Sequence, residues 1–228
     1  IRDVLGSRGL GDVYKRQDKQ GKIATLNQLT YSPVVNTSLI VINRYYDKKY
    51  QGLYANGFGE NSRLQNETGL FMGLETSLLS KMKLLCYGDF FYFPWYRYLV
   101  DKKRTIGMEG VFQVSYSPSN SLDMLIKYSY KNKAKNYQDT EESKLVLPNI
   151  RQRLHYQLIY SPLSVLRWKT VVEYVRSEVW KREASNGWAL GSSMKVDIPR
   201  LSLRTSLSGI WFYTQDLSLI HISEPTRP

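Results

Sequence analysis

Few side chains in this sequence are of types that do chemistry, and their spacing limits what they can do. There are two histidines, His155 and His221, and one cysteine, Cys86. A hydrolase needs a nucleophile, a base and a group that orients the base. His155 stands between Arg153 and Gln157 in an alternating stretch that turns it to the polar side of a strand. There an imidazole serves as a hydrogen-bonding wall residue. No histidine lies near Cys86, which reads as a packing residue rather than a thiolate nucleophile. One His and one Cys on different strands cannot supply the four ligands of a zinc site. Asp139-Thr140-Glu141-Glu142 lacks the spaced carboxylates and glycine of a calcium loop. Gly57-Phe58-Gly59 lacks the third glycine, the lysine and the following helix of a phosphate cradle. No catalysis, metal or cofactor is expected.

The remaining chemistry is charge. Lysine and arginine outnumber aspartate and glutamate by 32 to 20, a formal charge of +12. Alternation puts Lys83, Lys127, Arg153, Arg167, Lys169, Lys195 and Arg204 on polar strand faces. Asp89, Glu109, Asp123, Glu173 and Asp197 fall on the same faces, with Gln113, His155 and Gln157. Three readings follow: salt bridging across an interior, a weakly anion-selective pore lining, or binding of a polyanion such as lipopolysaccharide or DNA. The last would use rim residues Lys48, Lys49, Lys102, Lys103, Arg104, Lys133 and Lys135, with tyrosine stacking.

These residues need strands to position them. Between Thr105 and Tyr160 the pattern has period two, so successive side chains point to opposite faces. Met108, Phe112, Val114 and Tyr116 oppose Glu109, Gln113 and Ser115. Met124, Ile126 and Tyr128 oppose Asp123, Lys127 and Ser129. Leu154, Tyr156, Leu158 and Tyr160 oppose Arg153, His155 and Gln157. The same reading puts Leu70, Met72 and Leu74, then Met82 and Leu84, then Leu166, Trp168, Val172 and Tyr174 on apolar faces. Ser38 to Tyr46 is too uniformly apolar for a face to be chosen.

About ten strands result. Their connections alternate: those near 77–81, 117–121, 161–164 and 199–200 are tight, while 47–67, 94–105, 132–148 and 177–187 are long and polar. Tyr-Ser-Pro recurs from Tyr31, Tyr116 and Tyr160, each at a strand end before a short turn. The expected fold is all-β: an antiparallel up-and-down transmembrane β-barrel, present in part, with an aromatic belt at its strand ends. Lipid and lipopolysaccharide of an outer membrane would then contact the apolar faces. A soluble β-sandwich also has alternating strands, but its Greek-key connections do not alternate in length.

Residues 1–17 and 217–228 resemble translated sequencing-adapter read-through at the ends of metagenomic genes, and are set aside from fold reasoning. The natural segment is expected over 18–216, an internal fragment. Within it, Arg44-Tyr45-Tyr46-Asp47, Tyr54-Ala55-Asn56-Gly57-Phe58-Gly59-Glu60-Asn61-Ser62 and Gln65-Asn66-Glu67-Thr68-Gly69 form one telling stretch. With Tyr87-Gly88-Asp89-Phe90-Phe91-Tyr92-Phe93-Pro94-Trp95 and Gly187-Trp188-Ala189-Leu190, it resembles Bacteroidetes outer-membrane β-barrel proteins of the helix-hairpin-helix-domain-containing family. The resemblance implies a structural or transport role at the bacterial outer membrane. It also makes a DNA-uptake accessory the alternative, although no residue here matches the DNA-gripping module itself.

Overall fold

The computed structural model describes residues 12–17, 21–50, 57–61, 63–140, 143–179, 184–199 and 203–215. They form one eleven-stranded sheet in which every strand neighbours the next in sequence. The strands are β1 Asp12–Gln17, β2 Ile23–Tyr31, β3 Thr37–Tyr46, β4 Glu67–Leu79, β5 Met82–Phe93 and β6 Thr105–Ser119. They continue as β7 Leu122–Thr140, β8 Ser143–Leu163, β9 Leu166–Val179, β10 Ser185–Ile198 and β11 Leu203–Thr214. The fold is all-β and up-and-down, and β1 and β11 end the order without neighbouring one another. The five pairs β1–β2, β2–β3, β3–β4, β9–β10 and β10–β11 are antiparallel along their length.

Strand ends depart from the expectation, and the 177–187 connection shortens to 180–184. The polar stretch 132–148 is not a long loop: β7 runs on to Thr140 and β8 starts at Ser143. Lys131 and Lys133 lie two apart, so they share a strand face, and both find a carboxylate there. Pairing of that kind lets a polar sequence stay extended. Lys133 and Lys135 therefore belong to a strand rather than to a rim loop. Residues 12–17 also form a strand, which runs beside β2 from Asp12↔Gln28 to Gln17↔Ile23. The other terminal stretch, 217–228, lies outside the described residues.

The chain packs as two units, one of residues 1–76, 85–110 and 131–149, the other of 77–84, 111–130 and 150–228. In the first, β3 shows why its face was hard to read. Ile40, Ile42, Arg44 and Tyr46 are buried while Leu39, Val41, Asn43 and Tyr45 are exposed, so both faces carry apolar residues. Ile40, Ile42 and Phe71 make one core cluster, joined by Leu26, Phe58 and Tyr87. Ala24, Tyr46 and Tyr50 make another with Leu64. In the second unit, Val175 is fully buried on β9. Tyr174 and Trp188, directly opposite across β9 and β10, have ring centroids 4.4 Å apart.

Candidate functional site

Arg44 organises the first unit. It occupies the β3 position between Ile42 and Tyr46 on the buried face, and its side chain has no exposure. Register sets Gly69 of β4 opposite it. A Cβ there would overlap the guanidinium, so only glycine leaves room for it. The guanidinium fork then reaches two carboxylates. Nε donates to Glu67 at 2.6 Å, and Nη1 and Nη2 donate to the two oxygens of Asp89 at 2.7 and 3.0 Å. A fork-to-fork pair of this kind fixes orientation as well as charge.

The same carboxylate captures a loop. Glu67 accepts the backbone N–H of Glu60 at 3.0 Å and of Asn61 at 3.1 Å. Phe58 lies 5.2 Å from the Arg44 guanidinium and stacks edge-on against Phe71 at 5.1 Å. Its carbonyl accepts the Tyr46 hydroxyl at 2.7 Å. Residues 57–61 are thereby folded down onto the buried face of β3, β4 and β5. Glu60 completes the attachment by pairing with Lys131 and Lys133, both at 2.9 Å. Lys131 also reaches Glu109 at 2.7 Å, and the Tyr87 hydroxyl donates to that residue. Burial would push the Glu60 carboxyl up, but the two ammonium groups outweigh it and hold it below the ordinary value.

Between the loop and the strands is a cavity of about 140 Å³, lined by Phe58, Gly59, Glu60, Phe71, Tyr87, Asp89 and Glu109. Every carboxylate in its lining is already matched by Arg44, Lys131 or Lys133. Among the described residues the arrangement holds a chain segment in place and leaves none of these carboxylates unmatched.

Of the polar residues singled out from sequence, Asp89 and Glu109 belong to this network. Lys133, expected on a rim, belongs to it too, while Lys48, Lys49, Lys102, Lys103, Arg104 and Lys135 lie elsewhere in the first unit and the remaining strand-face residues lie in the second. Arg153 pairs with Glu173 at 3.0 Å, and the Nδ1 atom of His155 is 3.9 Å from the other oxygen of Glu173. Arg204 pairs with Asp197 at 2.6 Å. Arg167 stands directly opposite Lys195, and Lys169 opposite Ser193, all exposed or half-buried. Lys83 and Asp123 are exposed or nearly so, and Gln113, Lys127 and Gln157 are half-buried. Asp123 accepts the Ser117 hydroxyl at 2.6 Å.

The apolar residues form the opposite pattern. None of Leu70, Met72, Leu74, Met82, Leu84, Phe112, Val114 and Tyr116 is buried. The same holds for Met124, Ile126, Tyr128, Leu154, Tyr156, Leu158, Tyr160, Leu166, Trp168, Val172 and Tyr174. Register makes two stretches continuous, one in each unit: Leu39, Val41 and Tyr45 stand beside Leu74, Met72 and Thr68, and Trp168, Val172 and Tyr174 beside Met194, Leu190 and Trp188. Met72, Leu190 and Trp188 keep 45 %, 45 % and 48 % of their surface.

Sequence reasoning missed Arg44, Glu60 and Glu67. One signal was present: an arginine two residues from Ile42 and two from Tyr46 interrupts a buried row, and a buried arginine demands carboxylates nearby.

No protein-family model matches the sequence, and no curated protein matches it. Among solved structures, the outer membrane channel DcaP of Acinetobacter baumannii is similar with a TM-score of 0.49 and 11% identity. That alignment covers 86% of this chain and 63% of the channel, so the chain spans less than two thirds of its length. The NanC porin is similar with a TM-score of 0.36 and 10% identity, covering 89% of this chain and 98% of the porin.

Proposed function

We propose that this chain forms strand wall of an outer-membrane β-barrel with a pore or transport role and no catalytic one. The carrying observation is the sidedness of the sheet. Large apolar side chains stay exposed in register across neighbouring strands, far beyond the scattered apolar surface of a soluble domain. Hydrocarbon is the medium that suits such a face, and water suits the charged one. Strand length agrees: β4 to β11 have 12 to 21 residues, and a tilted membrane strand needs about 9–11. Tyr31, Tyr116 and Tyr160, each exposed before a short turn, suit the headgroup level. The likeness of residues 44–69 and 87–95 to the Bacteroidetes family supports the same membrane.

On this reading Arg44, Glu67 and Glu60 hold residues 57–61 against the water-facing wall, where the segment narrows the passage. In the second unit, Arg167, Lys169 and Lys195 have no carboxylate partner shown among the described residues and would bias ion passage along that unit's charged face toward anions. The test is reconstitution of the refolded chain into planar bilayers. Discrete conductance steps with anion preference, together with quenching of tryptophan emission by brominated phospholipids, are expected. A water-soluble protein whose tryptophans such lipids leave untouched would overturn the reading.

A further inference from the structure

We infer that the first unit carries a preformed site for a phosphorylated sugar, built around Trp95 and the lysines Lys48 and Lys103. The inference stands apart from ion passage, since every residue it uses belongs to the loops of one unit. Its centre is one indole ring that carries two lysines. The Lys48 and Lys103 ammonium groups lie 4.6 and 4.0 Å from the centroid of the same Trp95 ring, so they are about 9 Å apart at most. Lys103 also lies 5.1 Å from the Tyr96 ring. Among the described residues neither lysine has a carboxylate partner shown. Ring faces offset part of their mutual repulsion, and the anionic groups of a phosphorylated sugar lying along the ring would offset the rest.

The site is held rather than loose, and one residue holds it. Asn66 is buried, with a left-handed φ of 57° that asparagine tolerates better than most residues. Its backbone N–H donates to the Asp47 carbonyl at 3.1 Å, which fixes the turn carrying Lys48. Its side chain accepts the Trp95 N–H at 2.8 Å and donates to the Trp95 and Tyr96 carbonyls at 3.1 and 3.0 Å. The turn carrying Lys48 and the Trp95 backbone are therefore tied to one buried residue, the first by its N–H and the second by its side chain. Beyond them the chain turns tightly, with the Val100 N–H donating to the Arg97 carbonyl at 3.0 Å, and Leu99 takes a left-handed φ of 58°. A left-handed φ at a bulky residue is uncommon and persists where the surrounding structure enforces it. The turn leaves Tyr98 87 % exposed.

Two ammonium groups on one ring suit a compact anion, and exposed Tyr96 and Tyr98 add ring surface on which a sugar can stack. Nucleic acid needs a continuous basic groove instead. Lys133, which would extend one, is engaged by Glu60. A phosphorylated sugar can be free or be the head of a lipid in the same leaflet; the contacts required are the same.

The test uses the full chain refolded in detergent and a panel of probes. These are a phosphorylated lipopolysaccharide core oligosaccharide, its enzymatically dephosphorylated form, vesicles with and without lipid A, and a single-stranded DNA 20-mer. The double variant K48Q/K103Q is compared with K49Q/K102Q, which removes the same charge from neighbouring exposed positions. Calorimetric binding of the phosphorylated oligosaccharide, weakened about tenfold or more by K48Q/K103Q and by dephosphorylation, is expected. K49Q/K102Q should change it by less than about threefold. N66G keeps the backbone conformation but loses the side-chain bonds, and should weaken binding through misplaced Trp95. Lipid A vesicles retained more tightly than the free oligosaccharide would identify the lipid as source, and the reverse order a soluble glycan. Either result supports the site. Absent binding, equal loss in both double variants, or DNA bound as tightly as the sugar would overturn it.

Discussion

Replacing Arg44 by methionine tests whether the buried charge network holds the first unit together. Methionine fills similar length without charge, so the row Ile40, Ile42, Tyr46 stays apolar. What changes is the state of the two acids. Glu67 keeps the amide donors of Glu60 and Asn61, whereas Asp89 loses both of its bonds to Arg44. Removing one partner of a buried ion pair costs about 3–5 kcal/mol, because the remaining charge is left without compensation. Most of that cost should therefore reside on Asp89. The double variant R44M/D89L replaces the pair by apolar groups and should recover at least half of the loss, since buried pairs exchanged whole for hydrophobes are often neutral. Urea unfolding in short-chain lipid vesicles, followed by tryptophan emission, reads the difference as a shift in midpoint at constant slope. If R44M lies within about 1 kcal/mol of the parent, or if D89L adds a second loss to it, the compensation argument fails.

Three further outcomes follow from the same geometry. Gly69→Ala should behave like R44M, because the added methyl must displace the guanidinium; unaltered urea stability would contradict that. For pH, the Glu60 carboxyl is held below its ordinary value, so the attachment to Lys131 and Lys133 is complete above pH 4.5 and is lost as pH falls through the lowered value. Protease cleavage between residues 57 and 61 should appear on that acid limb, and Glu60→Gln should be cleaved already at neutral pH. Phe112→Arg places a charge on the exposed apolar face and Gln113→Arg places one on the other. The first should cost about 2–4 kcal/mol near mid-bilayer and the second far less, as measured by refolding yield and urea midpoint in vesicles; equal costs would sink the sidedness.

The fold was legible because it depends on alternation, which a sequence displays directly. Phe112 against Gln113 and Leu154 against Arg153 need no tertiary knowledge. Hairpin length was less legible. The stretch 132–148 looks like a loop by composition, and the carboxylate that matches its first lysine, Lys133, comes from Glu60, 73 residues away. The site was the least legible part for the same reason. Arg44 looks like one charge in an apolar run until β4 and β5 bring Glu67 and Asp89 alongside, and nothing local announces that residues 57–61 will fold onto them.

The bonds that fix this loop differ widely in how far apart along the chain their partners lie. Glu67 reaches the Glu60 amide across seven residues, Arg44 reaches Glu67 across 23 and Asp89 across 45, and Glu60 reaches Lys131 and Lys133 across 71 and 73. Contacts of long sequence separation close last, since more chain must be ordered before they reward it. A nascent sheet would therefore curl the segment against Glu67 early and lock it only once the seventh strand is laid down. Until then the segment rests on its bonds to Glu67 and Tyr46, and the two lysines complete its attachment.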